Sequence, residues 1–280
     1  MIAKENKLFE KYGVEVDLML KPSLNEVDQI YRKRQLDGLF SVLPNILILN
    51  TEGLPTQIVY IADYSDTGDV IFGQPELTSL QDLRRKTVAF EGINTFSHLF
   101  VVKLLEHAGI KEGEFKGVNL SIPEILTALE SGEVDAGHIF GPTQIQATNK
   151  GYKILAKAGD MPGIITDVLA FKTTVIKKRS KEIQGIVNAM SEARDFLYNQ
   201  PDEALSIMAK ATNMSVIEME TGIKGIYHPD LSEQISALKV DGTLFDVGQQ
   251  VTNFYFEKGQ LPRLPNLKNI INGKFVQAAQ

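Results

Sequence analysis

Residues 13–20, GVEVDLML, alternate apolar side chains at Val14, Val16, Leu18 and Leu20 with polar ones. That period predicts a half-buried strand. Ser23 with Glu26 three residues later has the spacing of a capping box, so a helix is expected from there to about Gln35. DGLFSV (37–42) predicts a short buried strand, and Pro44 suits the first turn of a helix ending near Gly53. TQIVYIADYS (56–65), DVIFG (69–73), KTVAFEG (86–92) and IITDVLAFKT (164–173) predict further strands. Helices are expected over roughly 180–199, 201–212, 215–225 and 243–259, followed by a Pro-punctuated extended tail at QLPRLPNL.

The pattern repeats. At an offset of 98, Ser23 falls on Ser121, Glu26 on Glu124, Asp37 on Asp135, Pro44 on Pro142 and Gly53 on Gly151. At an offset of 96, KLFEKYGV (7–14) faces KLLEHAGI (103–110). Each matched residue is a cap, a helix start or a stop, which favours an internal duplication over chance. Each half reads as strands alternating with helices, the signature of parallel sheets with right-handed crossovers, hence two lobes with a cleft between them. The same alignment sets Met1 opposite Ser97, so the counterparts of KTVAFEG and of the EGINTFS turn are missing from lobe one. The expectation is an N-terminally shortened form that lacks the first strand of lobe one and binds ligand poorly.

The chain has 280 residues, 43% of them hydrophobic, a net charge of −6 and no cysteine. The acidic balance disfavours a nucleic-acid partner. The lack of cysteine excludes disulfides, thiolate catalysis and Cys-based metal sites. No stretch approaches the run of about 18 apolar residues that a membrane span needs. His107, His138 and His228 show no metal-ligand spacing, and there is no Walker loop, G-x-S-x-G or dinucleotide fingerprint. No cofactor and no metal is expected.

Three stretches carry candidate chemistry. In EGINTFSHLF (91–100) small and hydroxyl residues, Gly92, Asn94, Thr95 and Ser97, precede a helix whose first N–H groups lack partners. Such an end can seat an anion or a ligand carbonyl, or Asn94 or Thr95 can simply cap it. Catalysis by Ser97 and His98 is disfavoured, because adjacent helical residues point about 100° apart; His98 reads as a surface or packing residue. DYSDTGD (63–69) matches part of a calcium loop, but Gln74 stands where a bidentate Glu is required, and a polar turn between strands is the alternative. Ser41 and Phe140 each follow a strand and precede a Pro-started helix, where open sheets bind ligands, although core packing of Phe140 fits equally well.

The segments IAKENKLFEKYGVEVDL, DGLFSVLP, DYSDTGDVI, DLRRKTVAFEGINTFSHLFVVKLLEHAGI, ILTALESGEVDAGHIFGP and DVLAFKTTVIKKRSKEIQGIVNA come in a characteristic order. In that order the chain resembles the periplasmic substrate-binding proteins of the nitrate, sulfonate and taurine transport class, including the thiamine-precursor-binding (NMT1/THI5-like) branch. The resemblance spans nearly the whole chain. It implies an α/β, two-lobed type II binding-protein fold, each lobe a mainly parallel sheet flanked by helices. Lobe one would comprise 1–66 and 168–280, lobe two 74–163, with hinge crossovers at 64–76 and 163–170. It implies a monomeric, non-enzymatic protein, periplasmic or at the cell surface, that closes over a small molecule and delivers it to an ABC transporter permease or a fused sensor. It places Asp63 and Ser65 at the cleft edge, Asp167 at the return crossover, and Gly92, Asn94, Thr95, Phe96 and Ser97 against ligand, with Ser41 and Phe140. A sulfonate- or carboxylate-like anion fits the helix end, and Phe96, Phe140 and Tyr64 keep a pyrimidine-like ring in play. The alternatives are the sensing domain of a receptor kinase, or an enzyme of thiamine-pyrimidine biosynthesis on the same scaffold. The latter branch depends on a Cys-rich motif that this chain lacks.

Overall fold

The computed structural model describes every residue except Pro22, Asn94, Pro142 and Gln280. Two short helices, α1 (Ile2–Glu5) and α2 (Leu8–Lys11), precede α3 (Leu24–Arg32), β1 (Gly38–Val42), α4 (Leu43–Thr51) and β2 (Thr56–Ser65). Next come β3 (Asp69–Gly73), β4 (Thr87–Phe90), α5 (Phe96–His107), β5 (Lys116–Asn119), α6 (Ile122–Ser131), β6 (Ala136–Phe140), α7 (Thr143–Asn149) and β7 (Lys153–Lys157). Strand β8 (Thr166–Lys172) leads to α8 (Thr173–Lys178), α9 (Ser180–Asn199), α10 (Pro201–Thr212) and α11 (Val216–Lys224). The chain ends with β9 (Ile226–Tyr227), α12 (Leu231–Leu238), α13 (Thr243–Glu257) and α14 (Lys274–Gln277).

These elements form two compact units: 1–64, 166–220 and 228–280 in unit one, and 65–165 with 221–227 in unit two. The chain passes between the units at 64/65 and 165/166. Residues 221–227, expected in lobe one, pack with unit two instead. The reason is a tight turn: the Gly225 carbonyl accepts from the N–H groups of Asp66 (3.0 Å), Thr67 (3.0 Å) and Gly68 (2.8 Å). A Cβ on Gly68 would stand 3.1 Å from that carbonyl, a tight approach that glycine leaves open.

In unit two the strand order is β5-β4-β6-β3-β7. β4 pairs parallel with both β5 and β6, whereas β3 pairs antiparallel with β6 and β7. The core beneath it combines Val70 and Phe72 of β3 with Ala89, Ile125, Leu129 and Ile139, all buried. Ser121 opens α6 with the expected capping box, its N–H and hydroxyl both donating to the Glu124 carboxylate at 2.8 and 2.7 Å.

Unit one carries β1-β8-β2, with β8 antiparallel to both neighbours. In place of the expected mainly parallel sheets, unit two is mixed and β1-β8-β2 of unit one is antiparallel. β3 and β8 run against the strands beside them, and residue periodicity carries no information on strand direction. The 98-residue repeat is visible in the fold, since it carries β1 onto β6, and β1-β8-β2 has the pairing pattern of β6-β3-β7. The repeat also explains one failed expectation. Val14–Leu20 takes the place of β5 but is not a strand. β5 is held by its ladder to β4, and among the described residues nothing occupies β4's position beside β1. Met19 and Leu20 remain 50% and 63% exposed.

Two buried polar contacts fix unit one. The Tyr31 hydroxyl and Thr56 Oγ1 lie 2.8 Å apart, and burial pushes the Tyr31 phenol up to about 12. At the irregularity in β2, the fully buried Gln234 side chain takes the place of a strand neighbour. Its Oε1 accepts from the Ile61 N–H at 2.9 Å, and its Nε2 donates to the Ile61 carbonyl at 2.6 Å.

Candidate ligand seat at the start of helix α5

The 91–97 turn joins β4 to α5. Gly92 has φ +80°, and a Cβ there would meet Thr95 Cγ2 at 2.4 Å, so both backbone and space demand glycine. Its N–H donates to Asn119 Oδ1 at 2.7 Å. Thr95 is the N-cap: Oγ1 accepts from the His98 N–H at 3.5 Å and donates to the carbonyls of Glu91 (2.5 Å) and Gly92 (2.9 Å). The N–H groups of Phe96 and Ser97 belong to the first turn, which has no intrahelical acceptor for them. They stand at the positive end of a 12-residue helix.

The Ser97 side chain is turned inward. It is fully buried, accepts from the Glu91 N–H at 2.9 Å and lies 2.7 Å from His138 Nδ1. Of the two groups that Ser97 offers at the helix end, the hydroxyl is thus engaged inside the protein and the backbone N–H is left. Phe96 and Phe140 are half-buried with ring centroids 5.7 Å apart, and both pack on the His138 ring. His98 is a packing residue: it stacks on Phe90 at 4.3 Å with planes 18° apart. Unit two therefore gathers Gly92, Thr95, Phe96, Ser97 and Phe140; Asn94 lies outside the described residues. Ser65 also belongs to unit two, its N–H donating to the Ile165 carbonyl at 3.1 Å. DYSDTGD is a strand end, a turn and a strand start, the Asp66 carboxylate taking the Lys157 ammonium at 3.1 Å and the Asp69 carboxylate reaching His138.

Unit one holds the other expected residues. Ser41 is buried and its hydroxyl accepts from Asn45 Nδ2 at 3.3 Å, which also donates to Asp28 at 3.0 Å. Burial raises the Asp28 carboxyl above its ordinary range. Asp63 and Asp167 face each other across β2 and β8, both half-buried. Sequence reasoning missed Asp69, Asn119 and His138. The available signal was a polar residue at the head or centre of an otherwise apolar strand, DVIFG and AGHIF.

Residues 1–204 match the family described as NMT1/THI5 like. The chain belongs to this family. Among curated relatives of this NMT1/THI5-like chain is the taurine-binding periplasmic protein of Escherichia coli (strain K12). It is 22% identical over 244 residues, covering 83% of this chain and 74% of that protein. Two solved structures share the fold. The periplasmic aliphatic sulphonate binding protein SsuA of Escherichia coli superposes with a TM-score of 0.80 at 18% identity, covering 96% of this chain and 92% of that one. The desulfurization enzyme DszB superposes with a TM-score of 0.72 at 14% identity, covering 99% and 94%. The NMT1/THI5-like fold is thus the scaffold of binding proteins and of an enzyme.

Proposed function

We propose that this chain is an extracytoplasmic solute-binding protein of ABC-type import that captures a small sulfonate-like anion. The observation that carries this reading is the start of α5. The Phe96 and Ser97 N–H groups stand in its first turn, at the positive helix end beside the Gly92 turn, while the hydroxyls of Thr95 and Ser97 are engaged within the protein. Such a seat presents donors, and a sulfonate presents three acceptor oxygens without a proton. The relatives' names, taurine- and sulphonate-binding, support the same ligand class.

A binding role fits better than catalysis. Ser97 is fully buried and its oxygen is already engaged on two sides, so it has no path to a substrate carbonyl or sulfur. A pyrimidine-like ligand is the second reading, favoured by the half-buried Phe96–Phe140 pair, which offers ring faces or edges for stacking.

The test is titration calorimetry with taurine, methanesulfonate, acetate, nitrate and an aminopyrimidine, alongside thermal melting. Sulfonates should bind and raise the melting temperature more than acetate or nitrate. Binding of the aminopyrimidine alone would replace this reading with the second, and no binding of any of the five would overturn both.

A further inference from the structure

Asp69, His138 and Ser97 stand at the head of β3, the middle of β6 and the first turn of α5. They are 8%, 0% and 0% exposed. In the β3/β6 ladder Ile71 faces His138, so Asp69 lies two residues along the same face, within reach of the ring. Asp69 Oδ1 is 2.9 Å from His138 Nε2, and His138 Nδ1 is 2.7 Å from Ser97 Oγ. Ser97 Oγ also accepts from the Glu91 N–H at 2.9 Å.

Donor and acceptor counting fixes the protons. A carboxylate only accepts, so Nε2 carries the hydrogen. In a neutral ring Nδ1 is then an acceptor, and the Ser97 hydroxyl donates into it. That leaves a Ser97 lone pair for the Glu91 N–H, and every buried group is matched. The opposite tautomer would set a bare Nε2 lone pair against the carboxylate. Phe96, Phe100 and Phe140 surround the ring, with centroids 6.0, 4.6 and 5.3 Å away, and hold its plane. The serine meets Nδ1 and the carboxylate meets Nε2, the reverse of the serine-hydrolase arrangement, in which the nucleophile faces Nε2.

We propose that Asp69 and His138 are positioning residues for the ligand seat. Acting through Ser97, they fix the Glu91–Gly92 peptide and point the Ser97 proton inward, so that the first turn of α5 presents backbone N–H groups to an acceptor-only ligand. The inference rests on the seat proposed above, and the chain of contacts can be tested without any ligand.

The first experiment is nitrogen NMR of the intact wild-type protein. His138 should give the Nε2–H tautomer, with Nδ1 unprotonated but hydrogen-bonded, and the Glu91 amide should be strongly protected from exchange. An Nδ1–H tautomer, or a Glu91 amide that exchanges freely, would overturn the proposal. The second compares Asp69→Ala with Asp69→Asn, whose amide oxygen can still accept from Nε2–H. Asp69→Ala should weaken taurine binding about tenfold, the order expected when one orienting hydrogen bond is lost, and should speed Glu91 exchange. Asp69→Asn should restore both. Equal behaviour of the two variants in Glu91 exchange would refute the positioning role. Failure of taurine to bind the wild type, with the tautomer and exchange results intact, would instead count against the function proposed above.

Discussion

The Ser97 hydroxyl and His138 Nδ1 lie 2.7 Å apart although 41 residues separate them in the chain. This contact and the Thr95 cap serve the same turn in different ways, and two substitutions separate them. Thr95→Ala removes a half-exposed cap and should cost about 0.5–2 kcal/mol. Ser97→Ala leaves the Glu91 N–H and His138 Nδ1 buried without a partner and should cost more, about 2–4 kcal/mol, from two groups at about 1–3 kcal/mol each. Urea denaturation of the two variants measures the difference, and an equal loss would show that the buried contact adds nothing to the cap.

Gln234 offers a second measurement. Its amide closes both hydrogen bonds of the Ile61 peptide inside unit one. Gln234→Leu has similar size but satisfies neither, so a loss of about 2–4 kcal/mol is expected. Gln234→Glu should lose at least as much at neutral pH, since its buried carboxylate sets an acceptor oxygen against the Ile61 carbonyl. Denaturant midpoints of the two variants give the comparison.

Gly137 lies in β6, beside His138. A Cβ there would fall 2.4 Å from Ile125 Cγ2 in a fully buried contact between β6 and α6. Gly137→Ala should therefore destabilise by about 1–3 kcal/mol through overpacking. Pairing it with Ile125→Val, which removes one methyl at a different carbon, should recover little, whereas Ile125→Ala should recover more. Thermal melts of the double variants distinguish the two.

Stability should fall with acid through His228. Burial, with the Arg194 guanidinium nearby, pushes its imidazole from 6.5 down to about 4, and among the described residues its Nδ1 has no hydrogen-bond partner. The unfolded chain thus binds a proton between pH 6.5 and 4 that the folded chain does not, so stability declines as pH falls through that window. The loss is on the order of 3 kcal/mol at most, at about 1.4 kcal/mol per pH unit. His228→Asn should flatten the pH dependence of the unfolding free energy between pH 4 and 6.5. An unchanged slope would place the acid sensitivity elsewhere.

Sequence and structure agree where local signals suffice. Ser23 and Ser121 cap their helices as their spacing predicts, and the 98-residue offset that pairs them also pairs β1 with β6. The Gly92 turn was legible because glycine, threonine and serine before an apolar run have few other uses. Agreement ends where the partner is remote. Val14–Leu20 alternates correctly, yet a strand needs a neighbour as well as a pattern. The antiparallel course of β8 and the packing of 221–227 with unit two are likewise set by tertiary contacts, whereas α12 carries a local signal, the Asp230–Glu233 capping box. Asp69, His138 and Ser97 are brought together by sheet register and a helix start, and no spacing in the sequence encodes that meeting.

The Gly225 carbonyl, clasped by Asp66, Thr67 and Gly68, has a consequence for the order of assembly. Unit two draws on 65–165 and then on 221–227, and unit one is divided into three pieces around it. A nascent chain that has emerged as far as residue 165 can pair all five strands from β3 to β7, but its 66–68 turn still lacks the acceptor that closes it. That closure waits for some sixty further residues, by which time most of unit one has also emerged. The buried core of unit two, from Val70 to Ala147, lies wholly within the earlier segment, so what is left for residues 221–227 is the closing of the 66–68 turn.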